Sequence, residues 1–378
     1  MTDSTSVGLT PAQFRDHFPA VHEWTWLDTP GSPPAAAPVA QALTTAVGNW
    51  LDGSFDWLDW DARPQQVRGL FARYTGVPEE GVALVGSVAE AAATVAASIP
   101  PGHVVVLEDE FRSNLFPWLA ANRPDLTVIR APLRPGLPRA ESLAAAITAG
   151  TSLVAVSEVL SSDGERVDLH RVRSAADRVG ARLFVDTSQT LGALATDLVG
   201  LHADYLACHG YKWLLCPRGA AWLVVRPDRV PELRPLATSW KSTRLPHGYF
   251  GGSPDLPDSA AKLDTSPAWL AWIGAAAALE LLSQADREQV ERHCLALARE
   301  FRDGLQEQGW KVAGHGEPSQ IVAAYTTRPD AVAAAFRRAG VRATVSSDRF
   351  RVGFHYFNNE QDVATALAAV AAEREESS

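Results

Sequence analysis

Leu183-Phe-Val-Asp-Thr-Ser-Gln189, followed by Cys208-His-Gly-Tyr-Lys-Trp-Leu-Leu-Cys-Pro-Arg-Gly219, is the stretch on which the fold turns. A continuous apolar run ending on a carboxylate is how a strand reads when helices cover both faces of its sheet. The same texture recurs at Ala83–Val85, Val104–Leu107, Thr127–Arg130, Leu153–Ser157, Leu183–Val185, Tyr205–Ala207 and Trp222–Val225. Ala-rich segments of helical periodicity separate several of these runs, around Ala89–Ser98, Ser142–Thr148 and Leu169–Val179. Such a βαβ series predicts an α/β protein whose sheet is mainly parallel, seven-stranded and doubly wound.

Beyond Pro227 the texture changes. Arg234–Pro267 is rich in Pro, Gly, Ser and Thr and includes Gly248-Tyr-Phe-Gly-Gly-Ser-Pro254, a long loop of the kind that usually has a function. Two helices are expected at Trp269–Ser283 and Ala285–Gln308. Short strands (Gln320–Tyr325, Arg342–Val345, Phe350–Gly353) then alternate with helices (Ala331–Ala339, Glu360–Glu373), which predicts a second, smaller α/β domain. The expected organisation is an N-terminal segment, 1–50, whose helix Pro38–Trp50 packs on the small domain. A large domain, 51–265, and a small C-terminal domain, 266–378, follow.

Composition narrows the function. The 378 residues exceed one domain at ~150 residues each, and 46% hydrophobic with 21% charged residues excludes extended disorder. A net charge of −10 opposes binding to a phosphate backbone, so no nucleic-acid partner is expected. Cys208, Cys216 and Cys294 form no CxxC pair, so neither a disulfide framework nor a metal site is expected. The longest apolar run, Trp269 to Leu279, is too short for a bilayer. MTDSTSVGLTPAQF has neither the basic nor the apolar region of a secretory signal, and a cytoplasmic location is expected.

Asp186 falls at the C-terminal end of a buried strand, where ligands collect in open α/β sheets. A buried carboxylate needs a cationic partner. Lys212 follows the next strand, flanked by aromatic residues that would desolvate it and lower its pKa, as in a Schiff-base lysine. That pair suits pyridoxal phosphate, with the lysine forming the imine and the acid holding the pyridine nitrogen protonated; a structural ion pair would read the same way. Ser87-x-x-Glu90 has the form of a capping box, either a plain helix cap or a phosphate site built from the amides of Ser87, Val88 and Ala89. His209 and Tyr211 add donors suited to a phosphate, or fill the core.

Six segments in the same order resemble the class V aminotransferase family of fold-type I pyridoxal-phosphate enzymes, which includes cysteine desulfurases, kynureninases and isopenicillin N epimerase-like proteins. They are Trp26-Leu-Asp-Thr-Pro-Gly31, Gly86-Ser-Val-Ala-Glu90, Glu110-Phe-Arg-Ser-Asn114, Val185-Asp-Thr-Ser-Gln189, Gly210-Tyr-Lys-Trp-Leu214 and Arg351-Val-Gly-Phe-His-Tyr-Phe-Asn358. The resemblance implies pyridoxal 5'-phosphate as cofactor, Lys212 as its imine-forming lysine and Asp186 as partner of the ring nitrogen. Gln189 and Ser161 would contact the phenolic oxygen, and Phe111 would stack on the ring. Ser87, Val88, His209 and Tyr211 would lie at the phosphate. Arg351 would grip the substrate's α-carboxylate, a bidentate task unsuited to lysine. Gly353 stands where relatives carry a serine. The resemblance also implies a homodimer with shared active sites, in which Thr265 or Ser266 of Asp264-Thr-Ser-Pro267 lends a hydroxyl to the partner's phosphate; as plain residues these cap the following helix.

A small α-amino acid is the expected substrate, with Lys212 moving its Cα proton. Desulfurases need a mobile-loop cysteine shortly before the arginine, and none occurs between Gly314 and Arg351, which disfavours desulfuration. Side-chain elimination is expected first. Transamination and epimerisation are the alternatives, and a catalytically inactive relative that only binds the cofactor is the non-enzyme one. Arg112 or Arg244 could read a second carboxylate. Trp240, Lys241 and Phe55-Asp-Trp-Leu-Asp-Trp60 could shape the side-chain pocket, or the tryptophans could simply pack the N-terminal segment.

Overall fold

All seven strands expected between Val82 and Arg226 form in the computed structural model, which describes residues 8–375. Residues 1–7 and 376–378, the outer ends of the first and last expected segments, lie outside the described residues. In chain order the strands are β1 (Thr25–Trp26), β2 (Val82–Val85), β3 (Gly102–Leu107), β4 (Leu126–Ala131), β5 (Thr151–Ser157) and β6 (Arg182–Asp186). They continue with β7 (Tyr205–His209), β8 (Ala221–Val225), β9 (Ile321–Tyr325), β10 (Val341–Arg342), β11 (Thr344–Val345) and β12 (Arg349–Gly353). The helices begin with α1 (Pro11–Arg15), α2 (Ala37–Asp52), α3 (Trp57–Thr75), α4 (Val88–Ala96), α5 (Arg112–Leu119) and α6 (Arg139–Ala146). After them come α7 (Leu169–Asp177), α8 (Trp269–Leu282), α9 (Arg287–Glu307), α10 (Pro329–Arg338) and α11 (Glu360–Glu375).

The large sheet has the order β2-β8-β7-β6-β5-β3-β4. Only β8 runs against its neighbours; every other pairing is parallel. Alternate residues of each strand enter two separate apolar clusters. Val154, Val156, Leu183 and Val185 face one side, with α3, α6, α7 and α8. Leu153, Ala155, Phe184 and Tyr205 face the other, with α4 and α5. Burial on both faces is why the strands read as unbroken apolar runs.

A third cluster joins β9 and β12 to α9, α10 and α11 through Phe301, Val322, Phe336 and Phe350. The strand expected at Arg342–Val345 is two strands in two sheets: β10 pairs with β1, and β11 with β12. α2 lies on α8, a helix within 266–378 whose apolar sequence is itself buried in the cluster of the large sheet. β1 makes the N-terminal segment's contact with the C-terminal strands. One further join matters for the site: Gly353 N–H donates to the Leu27 carbonyl at 2.8 Å.

Candidate active site

Parallel register brings the ends of three strands level. Ser157 of β5 pairs with Asp186 of β6, and Asp186 with Ala207 of β7. The chain leaving β7 carries His209, Tyr211 and Lys212 over this edge. Asp186 is buried, and its Oδ1 accepts the Ser188 N–H at 2.8 Å. Lys212 is only 5% exposed. Burial lowers its pKa to about 8, against the pull of Asp186 and with added repulsion from Arg351 and Arg218. Burial likewise raises the Asp186 carboxyl, so desolvation outweighs the attraction within the pair and favours its neutral form.

Phe111, at the start of α5, holds its ring 5.2 Å from Lys212 Nζ, and the Tyr211 ring lies at 5.8 Å. Phe111 is 44% exposed and stands as a half-open cover over the lysine. Its backbone is fixed by Glu110, whose carboxylate accepts from Phe111 N–H and Ser157 Oγ (both 2.7 Å) and Ser157 N–H (2.9 Å). Burial pushes Glu110 up to about 7 despite these bonds. Sequence reasoning gave Glu110 no role; its position directly before the ring-bearing residue was the available signal.

At the N-terminus of α4, Ser87 Oγ accepts the Glu90 N–H at 3.1 Å, and the Glu90 carboxylate reaches back to Gly86 N–H at 2.7 Å. The Val88 amide, expected to be free for an anion, donates to His209 Nε2 at 3.3 Å because β7 ends against the turn. That bond places the neutral ring's proton on Nδ1, a buried atom without a partner. Burial lowers His209 to about 4.

Across the cleft, Arg351 Nη1 donates to Ser161 Oγ at 2.8 Å and to its carbonyl, while Nη2 donates to Thr344 Oγ1 at 3.2 Å. Its Nε is buried and unpaired, and Asp28 Oδ1 lies 3.9 Å from Nη2. Gln189 Nε2 donates to Ser161 Oγ (3.0 Å) and Pro30 O (3.1 Å), and its Oε1 accepts from Trp213 Nε1 (2.7 Å). The structure thus gathers Lys212, Asp186, Gln189, Phe111, Ser161, His209, Tyr211, Val88, Ser87 and Arg351 at one edge of the sheet.

Thr265 donates its N–H to Leu84 O at 3.2 Å and faces Gly86 across a cavity of about 60 Å³. Other expectations find different surroundings. Arg244 bonds Asp255 and Asp258, so its charge is met. Arg112 lies over the Phe116 ring. Lys241 pairs with Asp61 at 2.9 Å. Trp57 and Trp60 belong to α3 and meet Trp269 of α8, which fits the packing reading of the tryptophans.

The residues present fit a pyridoxal phosphate. A buried lysine with a lowered pKa, an acid at the strand end, an orphaned His209 Nδ1 and an unpaired Arg351 Nε lie together at this edge of the sheet. A model of the family described as aminotransferase class-V matches residues 60–329. The uncharacterized aminotransferase YcbU of Bacillus subtilis (strain 168) is 27% identical over 368 residues, covering 96% of this chain and 98% of the relative. The isopenicillin N epimerase of Amycolatopsis lactamdurans is 27% identical over 372 residues, covering 89% and 92%. Among solved structures, a C-DES mutant with glycine covalently linked to its PLP cofactor superposes with a TM-score of 0.85 at 21% identity, covering 94% of this chain and 98% of that one. The cysteine desulfurase CsdA of Escherichia coli superposes at 0.83 and 22% identity, covering 97% and 99%.

Proposed function

The chain belongs to the class-V aminotransferase family, a family of enzymes dependent on pyridoxal 5'-phosphate, and on that premise we propose that it deprotonates a small α-amino acid at Cα and expels a side-chain leaving group. The observation that carries this reading is the Lys212 amine, buried beside Asp186 and beneath Phe111 with its pKa lowered to about 8. When bound, the cofactor stores the electron pair left on Cα.

Asp186 has one carboxylate oxygen beyond its Ser188 bond, which would hold the ring nitrogen. Phe111 would cover the ring and exclude water. Ser161, braced by Gln189, would border the phenolic oxygen. Ser87, His209 and Tyr211 would hold the phosphate of their own chain, the Val88 amide being committed to His209 Nε2, and the partner subunit's Thr265 would complete the site in a homodimer. Arg351 offers Nε and Nη2 as a fork for the α-carboxylate, which turns Cα–H toward Lys212. With its pKa near neutral, Lys212 Nζ can take that proton and deliver it to the departing side chain.

The cysteines support elimination over a persulfide route. All three are buried, and burial raises each thiol. Transamination and epimerisation are favoured by the names of the two relatives above, and desulfuration by that of CsdA, so each has its own arm in the test. Purified protein supplied with pyridoxal phosphate should show an absorbance band at ~400–430 nm that Lys212→Ala loses, as a lysine–cofactor imine requires. Keto acid and ammonia without an acceptor keto acid mean elimination; acceptor-dependent keto acid means transamination. Solvent deuterium at Cα without net product means epimerisation, and alanine plus sulfur from cysteine means desulfuration. A colourless wild-type protein overturns the proposal.

A further inference from the structure

Two guanidinium groups act on the Lys212 ammonium, those of Arg351 and Arg218. They differ in their company. Arg351 is bonded to Ser161 and Thr344 and faces Asp28. Arg218 is exposed, lies 4.8 Å above the Tyr211 ring, and has no carboxylate partner among the described residues. Stacking on an aromatic face orders a guanidinium while leaving its N–H edge free. Beside it opens a cavity of about 260 Å³ lined by Ser32, Pro34, Val39, Tyr211, Pro217 and Arg218.

One loop spans both arginines. At its start Asp28 accepts from Thr344 Oγ1 at 2.6 Å, next to Arg351, and a few residues on Ser32 and Pro34 wall the cavity of Arg218. Tyr211 joins that cavity to Lys212. Ser87, Val88 and His209 do not line it, so the cavity touches the proposed phosphate site at Tyr211 alone. The apolar Pro34, Val39 and Pro217 suit methylenes, and the single cation suits an anion beyond them.

The geometry points to Arg218 as the residue that binds a second carboxylate, at the far end of the substrate's side chain, making the substrate an amino acid with an acidic terminus. This deepens the proposed function and rests on Lys212 and Arg351 acting as stated there. It also answers what Arg112 and Arg244, one lying over Phe116 and the other matched by acids, leave open.

The test uses the pyridoxal-phosphate-loaded protein and amine-free probes, which bind without reacting. Isothermal titration compares glutarate with pentanoate and adipate with hexanoate. At one of these lengths the diacid should bind at least tenfold more tightly than the monoacid. Arg218→Gln should erase that preference, while Arg218→Lys should restore part of it. Equal affinities at both lengths in the wild type, or a preference that survives Arg218→Gln, overturn the inference. So does a weaker dissociation constant for pyridoxal phosphate in Arg218→Gln with the diacid preference intact, which would assign the guanidinium to the cofactor's phosphate. A wild-type protein that never gains the cofactor's absorbance overturns the underlying reading itself; a coloured protein without the preference overturns only this one.

Discussion

Lys212 shows how burial turns an ordinary side chain into a reagent. An amine with a pKa of about 8 is partly unprotonated near neutrality, where an exposed lysine is not. The same shift costs stability in the cofactor-free protein. Between about 8 and the ordinary 10.5, the unfolded chain holds a proton that the folded one lacks, so stability rises with pH across that window and the full cost applies below it. Lys212→Met should therefore stabilise the cofactor-free protein at pH 7 by about 3 kcal/mol, a difference that shrinks above pH 10. Urea midpoints at the two pH values measure it; equal destabilisation at both would contradict the burial argument. Glu110 shows the opposite balance: three donors hold a carboxylate that burial still raises to about 7. These residues stood in quoted motifs, yet only Lys212 had a legible role, because Glu110 acts through Ser157, a partner 47 positions away.

Gly353 makes the case at the level of elements. The sequence marked it as the place where relatives carry a serine, without a reason. A Cβ there would stand 2.5 Å from the Pro30 ring and 3.0 Å from that of Trp213. The missing side chain is what lets β12 receive the loop from Asp28 to Gly31, which in turn meets Arg351 and Gln189. Gly353→Ser should lower stability by roughly 1–3 kcal/mol, as overpacking does, and raise KM for the amino acid more than it lowers kcat by shifting that loop. Thermal melts and steady-state kinetics check both, and an unchanged KM would separate the loop from substrate binding. The seven strands of the large sheet were legible because burial on both faces writes itself into consecutive residues. Strands β10 and β11 were not, since which sheet each two-residue strand joins depends on distant partners. α3 escaped too: its first turn, capped by Asp56 and carrying Trp57 and Trp60, reads as an aromatic wall, and Pro64 interrupts its pattern. Arg218 was legible only as part of a motif, because nothing in one dimension shows that it lacks an acid partner.

At the level of the whole molecule, one face is more apolar than a lone protomer needs. Trp57, Leu245, Tyr249 and Phe250 are 39%, 70%, 55% and 97% exposed. Ring contacts connect the three aromatic residues, with Trp57 6.1 Å from Tyr249 and from Trp269, and Tyr249 6.4 Å from Phe250. A patch of this kind marks an interaction surface, and Trp269 follows closely on Thr265. The proposed homodimer would cover the patch and carry Thr265 into the partner's site. Mixing subunits tests both features together. Lys212→Ala and Thr265→Ala homodimers should each be impaired. A heterodimer of the two contains one site with both defects and one with neither if Thr265 serves the partner, so each heterodimer should have half the wild-type activity and an equimolar mixture should regain about a quarter of it on subunit exchange. If Thr265 serves its own chain, each site in the heterodimer keeps one defect and exchange restores nothing. Phe250→Asp should shift the protein toward monomer in sedimentation and abolish the restored activity, because a hydroxyl supplied across an interface is lost with that interface.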